Sequence, residues 1–485
     1  MARIALHALG CRLNEAEIER LSRDLQSAGH TIVRIEDGPD VVVLNTCGVT
    51  GDAMRKSRHM ARRLARHRPK SLVIMGCALD LTPLDAAFLS GLDQAPCADD
   101  SADQVQAARG SARIGRRGGS RTAPTPIATQ GETSPTCPIS PSTVLPSSTL
   151  PYAIDILHIR REEKPGAAHH ILARMAAIGL PNSRHVVGEV SHRAHTRGFI
   201  KIQDGCNNQC SYCAVRLARG PERSELAAAV LEDVRSQLTR GCREIVLTGV
   251  QLGAWREGER RLPELLSLLL EETPVERLRL SSIEPWHVSP SLWRLWENPR
   301  LCPHFHIPVQ SGSDAVLKAM QRRILIPAFL ERLSAIRLAI SGVRISTDLI
   351  VGFPGETDAM WSETLDFIDA AALDDVHLFR FSPRPGTEAA SLPNPISDAQ
   401  KRARYAQAQA KIETIRNMRL TNSLNTEHAV LWESAEKPVD GKCLWKGYSA
   451  NYLLFRREFE AEKAMRGTLT HEIFDHRDLL SNSHL

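Results

Sequence analysis

Hydrophobic and polar positions along the chain alternate between two rhythms. Near the N-terminus short apolar runs, Arg3–Leu9, Thr31–Ile35, Val41–Thr46 and Ser71–Gly76, are separated by stretches of helical periodicity from Asn14 to Ala28 and from Asp52 to His67. Runs this short and continuous predict strands buried on both faces, as in a parallel sheet with helices on either side. Gly29 and Pro69 stop the two helices. From Arg197 to about Glu413 the alternation returns. Strands are predicted at Gly198–Gln203, Glu244–Thr248, Arg277–Ser282, Pro303–Pro308, Val343–Gly352 and Asp375–Phe381, with helices between them such as Ser224–Thr239 and Glu356–Ala371. Strand–helix repeats of this kind predict an incomplete parallel barrel, with its chemistry at the C-terminal strand ends. A basic helix over about Asp398–Met418 leads into Arg419–Leu485, where runs such as Asn451–Phe455 predict a small β domain.

Ser, Thr, Pro, Gly and Arg dominate from Asp99 to Pro151, the composition of a flexible linker. The chain therefore divides into an α/β domain (1–95), a low-complexity linker (96–151), a connecting segment with a helix near Ala167–Ile178 (152–196), the barrel (197–416) and the β domain (417–485). The net charge of +5 permits a nucleic-acid partner without requiring one. No run of about 18 apolar residues exists, which predicts no membrane span. The N-terminal apolar run is too short for a signal peptide. Eleven cysteines in that setting predict a reducing, cytoplasmic location and metal ligation rather than disulfides.

Cys206, Cys210 and Cys213 form a C-x3-C-x2-C loop that brings three thiolates to one point and no fourth. Soft thiolates select iron–sulfur clusters, zinc or copper(I). A cubane cluster held by three cysteines leaves one iron open to a substrate. Structural zinc needs four ligands, and His192 or His195 upstream could supply the last. A disulfide would leave one cysteine over. Cys11, Cys47 and Cys77 form a second constellation, each at the end of a predicted parallel strand, where ligand sites gather. Singly each reads as a small buried hydrophobe; together they favour a shared site. Asn14 and Asn45 stand nearby, as sulfur-bonding groups or as turn and cap residues. His304 and His306 share one strand face, lining a cavity or packing in the core. Arg55, Lys56, Arg58, Arg62, Arg63 and Arg66 give one helix a basic face, either solvated or contacting phosphates, and Arg219, Arg223 and Arg384 are further phosphate-contact candidates near the barrel mouth.

The cysteine loop, with Tyr212 before its last cysteine, resembles that of the radical S-adenosylmethionine (SAM) enzymes. The segments RGFIKIQDGCNNQCSYCAVRLARGPERS, REIVLTGVQLG, LRLSSIEPWHVS, LCPHFHIPVQSGSDAVLKAM, STDLIVGFPGET and HLFRFSPRPGT resemble the methylthiotransferase branch, as do ALGCRLNEAE, LNTCGVT and MGC near the N-terminus. The likeness spans Arg197–Thr387 and the first 80 residues but not the linker, and touches the C-terminal segment only faintly. Arg216 stands where the family usually has proline.

The resemblance implies an N-terminal doubly wound α/β domain, a central partial (β/α)6 radical SAM barrel and a degenerate C-terminal RNA-binding β-barrel. It implies two [4Fe–4S] clusters, one on Cys206, Cys210 and Cys213 whose open iron chelates SAM, the other on Cys11, Cys47 and Cys77. Tyr212, Thr248, Gly249, Ser282, Glu284, Gln310 and Asp348 would line the SAM pocket, and the glycines of Ile350–Glu356 resemble an adenine-contacting stretch. SAM cleavage to a 5′-deoxyadenosyl radical, activation of C2 of a modified adenine and attachment of a methylated sulfur would follow. A second SAM would supply the methyl group and a one-electron donor such as flavodoxin the electron. The implied partner is the tRNA anticodon stem-loop, whose base is splayed out for reading. ALGCRLNEAE and SSIEPW resemble most the enzymes acting on N6-threonylcarbamoyladenosine beside the anticodon, so an Arg or Lys near the barrel mouth is expected to pair with the threonyl carboxylate. Action on isopentenyladenosine or a ribosomal protein, another radical SAM reaction, and a non-catalytic iron–sulfur or zinc RNA-binding protein are the alternatives.

Overall fold

The computed structural model describes residues 1–81, 155–180, 196–436, 438–461 and 463–483. The linker 96–151 and the histidines at 192 and 195 lie outside them. Five parallel strands form the N-terminal sheet in the order Thr31–Ile32, Arg3–Ala8, Val41–Thr46, Ser71–Gly76 and Asp155–Ile159. Every residue of Val41–Thr46 and Ser71–Gly76 is buried, as their unbroken apolar runs require. Leu44, Leu72 and Ile74 face the helix Gly51–Ala65, while Val41, Val43 and Val73 pack against Arg12–Ser27 and Ala167–Ala177, so the sheet is doubly wound.

Two expectations change here. Part of the presumed connector 152–196 belongs to the sheet: Asp155–Ile159 pairs with Ser71–Gly76, and Ala167–Ala177 covers one face. The edge of Ser71–Gly76 would otherwise leave its backbone groups unpaired, and Ile156, Leu157 and Ile159 bury apolar surface in closing it. The strand from Thr31 also stops at Ile32, because Ile35–Asp37 turns into a 3-10 helix closed by Arg34 and Asp37.

In the barrel, Arg197–Lys201 pairs with Glu244–Thr248 and that with Arg277–Leu280. His304–His306, Arg344–Val351 and Asp375–Arg380 form a second parallel trio. Bridges Leu278–Leu301 and Ser282–His306 join the two, giving the partial six-stranded barrel. Ile345, Leu349 and Val351 turn outward into the main core, so their alternating neighbours Ser346, Asp348 and Ile350 line the inside. Among the described residues the first and last strands do not pair, and the N-terminal domain covers that opening. On one lip Glu19 accepts from Phe199 N–H at 3.3 Å and from Gln237 Nε2 at 2.9 Å, and Arg23 pairs with Asp233. On the other lip Arg384 donates to Gly48 O at 2.6 Å.

The last segment forms a four-stranded antiparallel sheet, ordered Leu454–Glu460, Lys442–Ser449, Glu427–Ala435 and Leu469–Ile473. It docks beneath the barrel through Tyr452, whose hydroxyl accepts from Arg197 at 3.1 Å and whose ring lies 3.6 Å from the Arg279 guanidinium. Buried Glu244 takes Arg279 at 2.6 and 3.1 Å and Arg277 at 3.2 Å. Among the described residues no helix is long and apolar enough to cross a membrane.

Glu19 gives the domain interface a pH dependence. Burial pushes its carboxyl up to about 7, against the opposing Phe199 N–H. A folded-state pKa above the ordinary 4.5 means that this group's contribution is complete below the unfolded value and is lost as pH rises through about 7. The thermal midpoint of the chain is expected to fall between about pH 4.5 and about pH 7, and Glu19→Gln is expected to flatten that fall. Equal slopes for the two proteins would show that Glu19 is not the group responsible.

Candidate functional site

Cys11, Cys47 and Cys77 follow three neighbouring strands of the N-terminal sheet, the last two directly. Gly10 lets the Cys11 loop fold onto Cys47: its φ is +95°, and a Cβ there would meet the Cys47 Cβ at 2.5 Å. Cys11 is exposed, whereas Cys47 and Cys77 are buried. Burial pushes both buried thiols up, so loading this site with a metal group must release protons. Asn14 and Asn45 frame the site. Asn14 Nδ2 donates to Leu9 O at 2.6 Å and Thr46 O at 3.0 Å, and Asn45 Nδ2 donates to Glu17 at 2.9 Å. The NH2 groups of both amides thus position the strand ends, while Asn14 Oδ1 also accepts from the Cys11 thiol at 3.9 Å.

The second triplet lies at the top of the first barrel strand. Cys206 N–H donates to Gly220 O at 3.0 Å, and Asn208 N–H donates to Cys206 Sγ at 3.4 Å. Burial pushes the Cys213 thiol up to about 12. Arg216 is an exposed residue in the first turn of the helix Val215–Arg219, a position that takes arginine as readily as proline.

Of the seven residues expected around SAM, Tyr212 and Glu284 stand beside this loop. Arg322 Nη2 donates to Glu284 at 2.7 Å, its Nη1 lies 3.8 Å from Cys210 Sγ, and its charge acts on Tyr212. Thr248 and Gly249 end the second strand, where a Cβ on Gly249 would crowd Gln203 at 3.1 Å. Ser282 bridges to His306, and Gln310, at φ +87°, bridges to Leu349. Asp348, on the inner face of its strand, holds its Oδ1 3.2 Å from both His306 Nε2 and His377 Nδ1. Sequence reasoning missed Gln203 and Gln251. Gln203 Nε2 donates to Asp204 O and Gly205 O at 2.9 and 2.8 Å, its Oε1 accepts from Gln251 N–H at 2.7 Å, and Gln251 Oε1 lies 3.5 Å from Cys206 Sγ. Their only signal was position, one before the cysteine loop and one two residues beyond Gly249.

One side chain joins the two triplets. Arg219, only 4% exposed, donates to Glu17 at 2.8 Å, to Asp204 at 3.1 Å and to Asn14 Oδ1 at 2.6 Å. Asp204 lies two residues before Cys206, and Asn14 three after Cys11. Burial opposes ionisation of Glu17, but Lys164, Arg219 and Lys201 outweigh it and hold the carboxyl well below its usual range. Arg219 is therefore an internal tie and not the phosphate contact expected of it. Arg223 pairs with Asp204 at 2.9 Å while remaining 45% exposed, so only it stays open to solvent.

The barrel wall below is polar. His306 and His377 stack at 5.0 Å on either side of the shared Asp348 oxygen. His304 packs edge-on against Tyr452 at 4.6 Å. His304 and His306 thus line the interior rather than the outer core. Burial opposes the charge on Asp348, but its two histidines hold it low.

Among the described residues, His306, Asp348 and His377 are the group of three whose ligand atoms all fall within 4.8 Å of one another. The sulfurs of each cysteine triplet are spaced more widely. Three thiols with peptide N–H donors beside them, from Asn208 to Cys206, from Val49 to Cys47 and from Val215 to Cys213, form a soft donor set that suits an iron–sulfur cluster.

A partial parallel barrel with this loop defines a radical SAM enzyme, and residues 200–368 match the radical SAM superfamily. Residues 3–88 match the uncharacterized protein family UPF0004. The radical SAM methyltransferase TsrM from Kitasatospora setae shares the fold, with a TM-score of 0.52 at 12% identity over 90% of this chain and 80% of that one. The threonylcarbamoyladenosine tRNA methylthiotransferase MtaB of Thermotoga maritima is 30% identical over 442 residues, 89% of this chain and 87% of its own. The tRNA-2-methylthio-N(6)-dimethylallyladenosine synthase of Desulfosudis oleivorans is 32% identical over 411 residues, 83% and 77% of the two chains. The chain belongs to the radical SAM methylthiotransferase family, whose cofactors are two [4Fe–4S] clusters and SAM.

Arg219→Gln leaves Glu17 and Asp204 as buried carboxylates without their shared cation. Removing one partner of such a group typically costs about 3–5 kcal/mol. The variant is expected to unfold at clearly lower urea and to be cleaved more readily between the N-terminal domain and the barrel. An unchanged midpoint would contradict the role given to Arg219.

Proposed function

We propose that this enzyme attaches a methylthio group to C2 of N6-threonylcarbamoyladenosine beside the anticodon of tRNA, with Cys206, Cys210 and Cys213 holding one cluster and Cys11, Cys47 and Cys77 the other. The observation that carries the substrate choice is the polar inner wall, where His304, His306, Asp348 and His377 stand in place of an apolar surface. A site whose polar groups need partners rejects a prenyl chain, which would leave them unpaired, but suits a carboxylate-bearing one. The likeness of ALGCRLNEAE and SSIEPWH to the threonylcarbamoyladenosine branch supports the same choice, and relatives of both substrate types match the chain.

The chemistry supplied when the groups are bound is one-electron cleavage of SAM at the Cys206 loop and sulfur delivery at the Cys11 site. The chain's own part is placement. Gln203 and Gln251 fix the Cys206 end of the loop, and Tyr212 with Arg322 and Glu284 forms a charged, partly buried flank where the amino acid end and base of SAM would lie. Thr248, Gly249, Ser282 and Gln310 complete the rim of strand ends around it. Arg219 holds the second thiol site against the open side of the barrel, so that a base inserted there meets both. The basic face of Gly51–Ala65, where Arg55, Lys56, Arg63 and Arg66 are exposed, supports phosphate contacts, and an external donor such as flavodoxin would supply the electron.

Any one of Cys206→Ala, Cys210→Ala or Cys213→Ala is expected to abolish 5′-deoxyadenosine formation after anaerobic reconstitution. Replacing Cys11, Cys47 and Cys77 together is expected to halve the iron, keep SAM cleavage and remove methylthiolated product. Methylthiolated RNA from the triple variant would overturn the assignment.

Offered both tRNA types under identical reducing conditions, the enzyme is expected to modify the threonylcarbamoylated tRNA and spare the isopentenylated one. Equal activity or the reverse preference would refute the substrate reading and leave the radical chemistry intact.

A further inference from the structure

Arg12 follows Cys11 directly and is the first residue of the helix Arg12–Ser27. Its side chain turns away from its own domain and into the barrel: the guanidinium carbon lies 5.6 Å from the centre of the Tyr452 ring. Its charge is felt by His304 and His377 on the inner wall. Among the described residues the guanidinium has no hydrogen bond or ion pair; Glu15, one turn away, senses it without reaching it. By contrast the other arginines at the base of the barrel, Arg197, Arg277 and Arg279, all reach Glu244, and Arg344 approaches Asp374 at 3.7 Å. Among the described residues Arg12 is thus a cation directed at the inner wall of the barrel with no protein anion paired to it.

Nearby, His377 on the wall takes up the neighbouring carboxylates. His377 is half exposed to the cavity, and its Nδ1 lies 3.2 Å from Asp348 Oδ1, with Asp375 3.7 Å from its other nitrogen. Asp348 is shared with His306, so its charge is already engaged and does not confront an incoming anion. The hydrogen bond to Asp348 raises the pKa of His377, which favours its protonated form.

The chemistry of the base places its side group here. In adenine, C2 and C6, the carbon that carries N6, flank the same ring nitrogen. A base that presents C2 to the sulfur site at Cys11 therefore brings its N6 substituent along the same edge, beside the residue next to Cys11. We propose, on the substrate reading given above, that Arg12 pairs with the carboxylate of the threonylcarbamoyl group. Arginine suits this task because its fork matches a carboxylate with two parallel hydrogen bonds. The step is recognition only, and no bond is made or broken by Arg12.

The test is a cycle between protein and ligand. Anticodon stem-loops carrying the threonylcarbamoyl group as its free acid or as the uncharged carboxamide are bound to the reconstituted full-length protein and to Arg12→Gln and Arg12→Lys. The unaltered protein is expected to favour the acid on the order of tenfold to a hundredfold, the range of one well-placed charge pair. Arg12→Gln is expected to bring that ratio to about one, raising KM for the acid far more than it lowers kcat, and Arg12→Lys to restore part of it. A ratio that Arg12→Gln leaves unchanged would overturn the proposal, as would a variant that loses iron yet keeps the ratio, since Arg12 would then serve the thiol site. If the unaltered enzyme itself ignores threonylcarbamoylated RNA, the substrate reading falls first, and the two failures are told apart.

Discussion

A buried guanidinium needs acceptors for its donors, and Arg219 finds three of them in two distant parts of the chain: Asn14 and Glu17 behind Cys11, and Asp204 ahead of Cys206. Its strength as a constraint comes from burial. In water each of these contacts would be nearly neutral, but in the interior a missing partner leaves an uncompensated charge. The strand ends around Cys11, Cys47 and Cys77 can therefore dock on the barrel in one register only, the one that completes the Arg219 set. Lys164 and Lys201 at Glu17, and Arg223 at Asp204, keep the charges balanced around it.

Much of the architecture was legible because it rests on local patterns. Unbroken apolar runs such as VVVL and LVIM can only be strands shielded on both faces, and parallel strands place their ends along one edge, which is why three distant cysteines could be read as one site. The Cys206 loop stood out in the sequence by its spacing. What escaped has a common physical cause: it depends on partners far away in sequence. Asp155–Ile159 looks like a connector until the open edge of Ser71–Gly76 is seen. Arg219 sits in a basic run, ARGPERS, and reads as a surface charge until Glu17, 202 residues earlier, is found against it. The pairing of Asp348 with His306 and His377 is a contact that only the closed barrel creates.

The same closure explains the polarity of the cavity. Tyr452 of the C-terminal sheet plugs the base of the barrel, accepting from Arg197 and covering Arg279, so the strand starts are sealed and only the strand ends and the lateral opening remain for chemistry. The lateral opening is where the N-terminal domain enters, with Arg384 on one lip and Glu19 on the other. Fold, charge pairing and reaction thus meet at one surface: the face of the N-terminal sheet edge that looks into the barrel.

The central claim is that this surface holds two iron–sulfur sites in a fixed mutual position across one cavity. Its most direct test is electron paramagnetic resonance of the reconstituted protein with both clusters reduced, compared with variants lacking either cysteine triplet. The account expects spectra and relaxation rates in the intact protein that show magnetic interaction between the two sites and differ from the sum of the two single-site variants. Spectra that simply add, with no interaction, would contradict it.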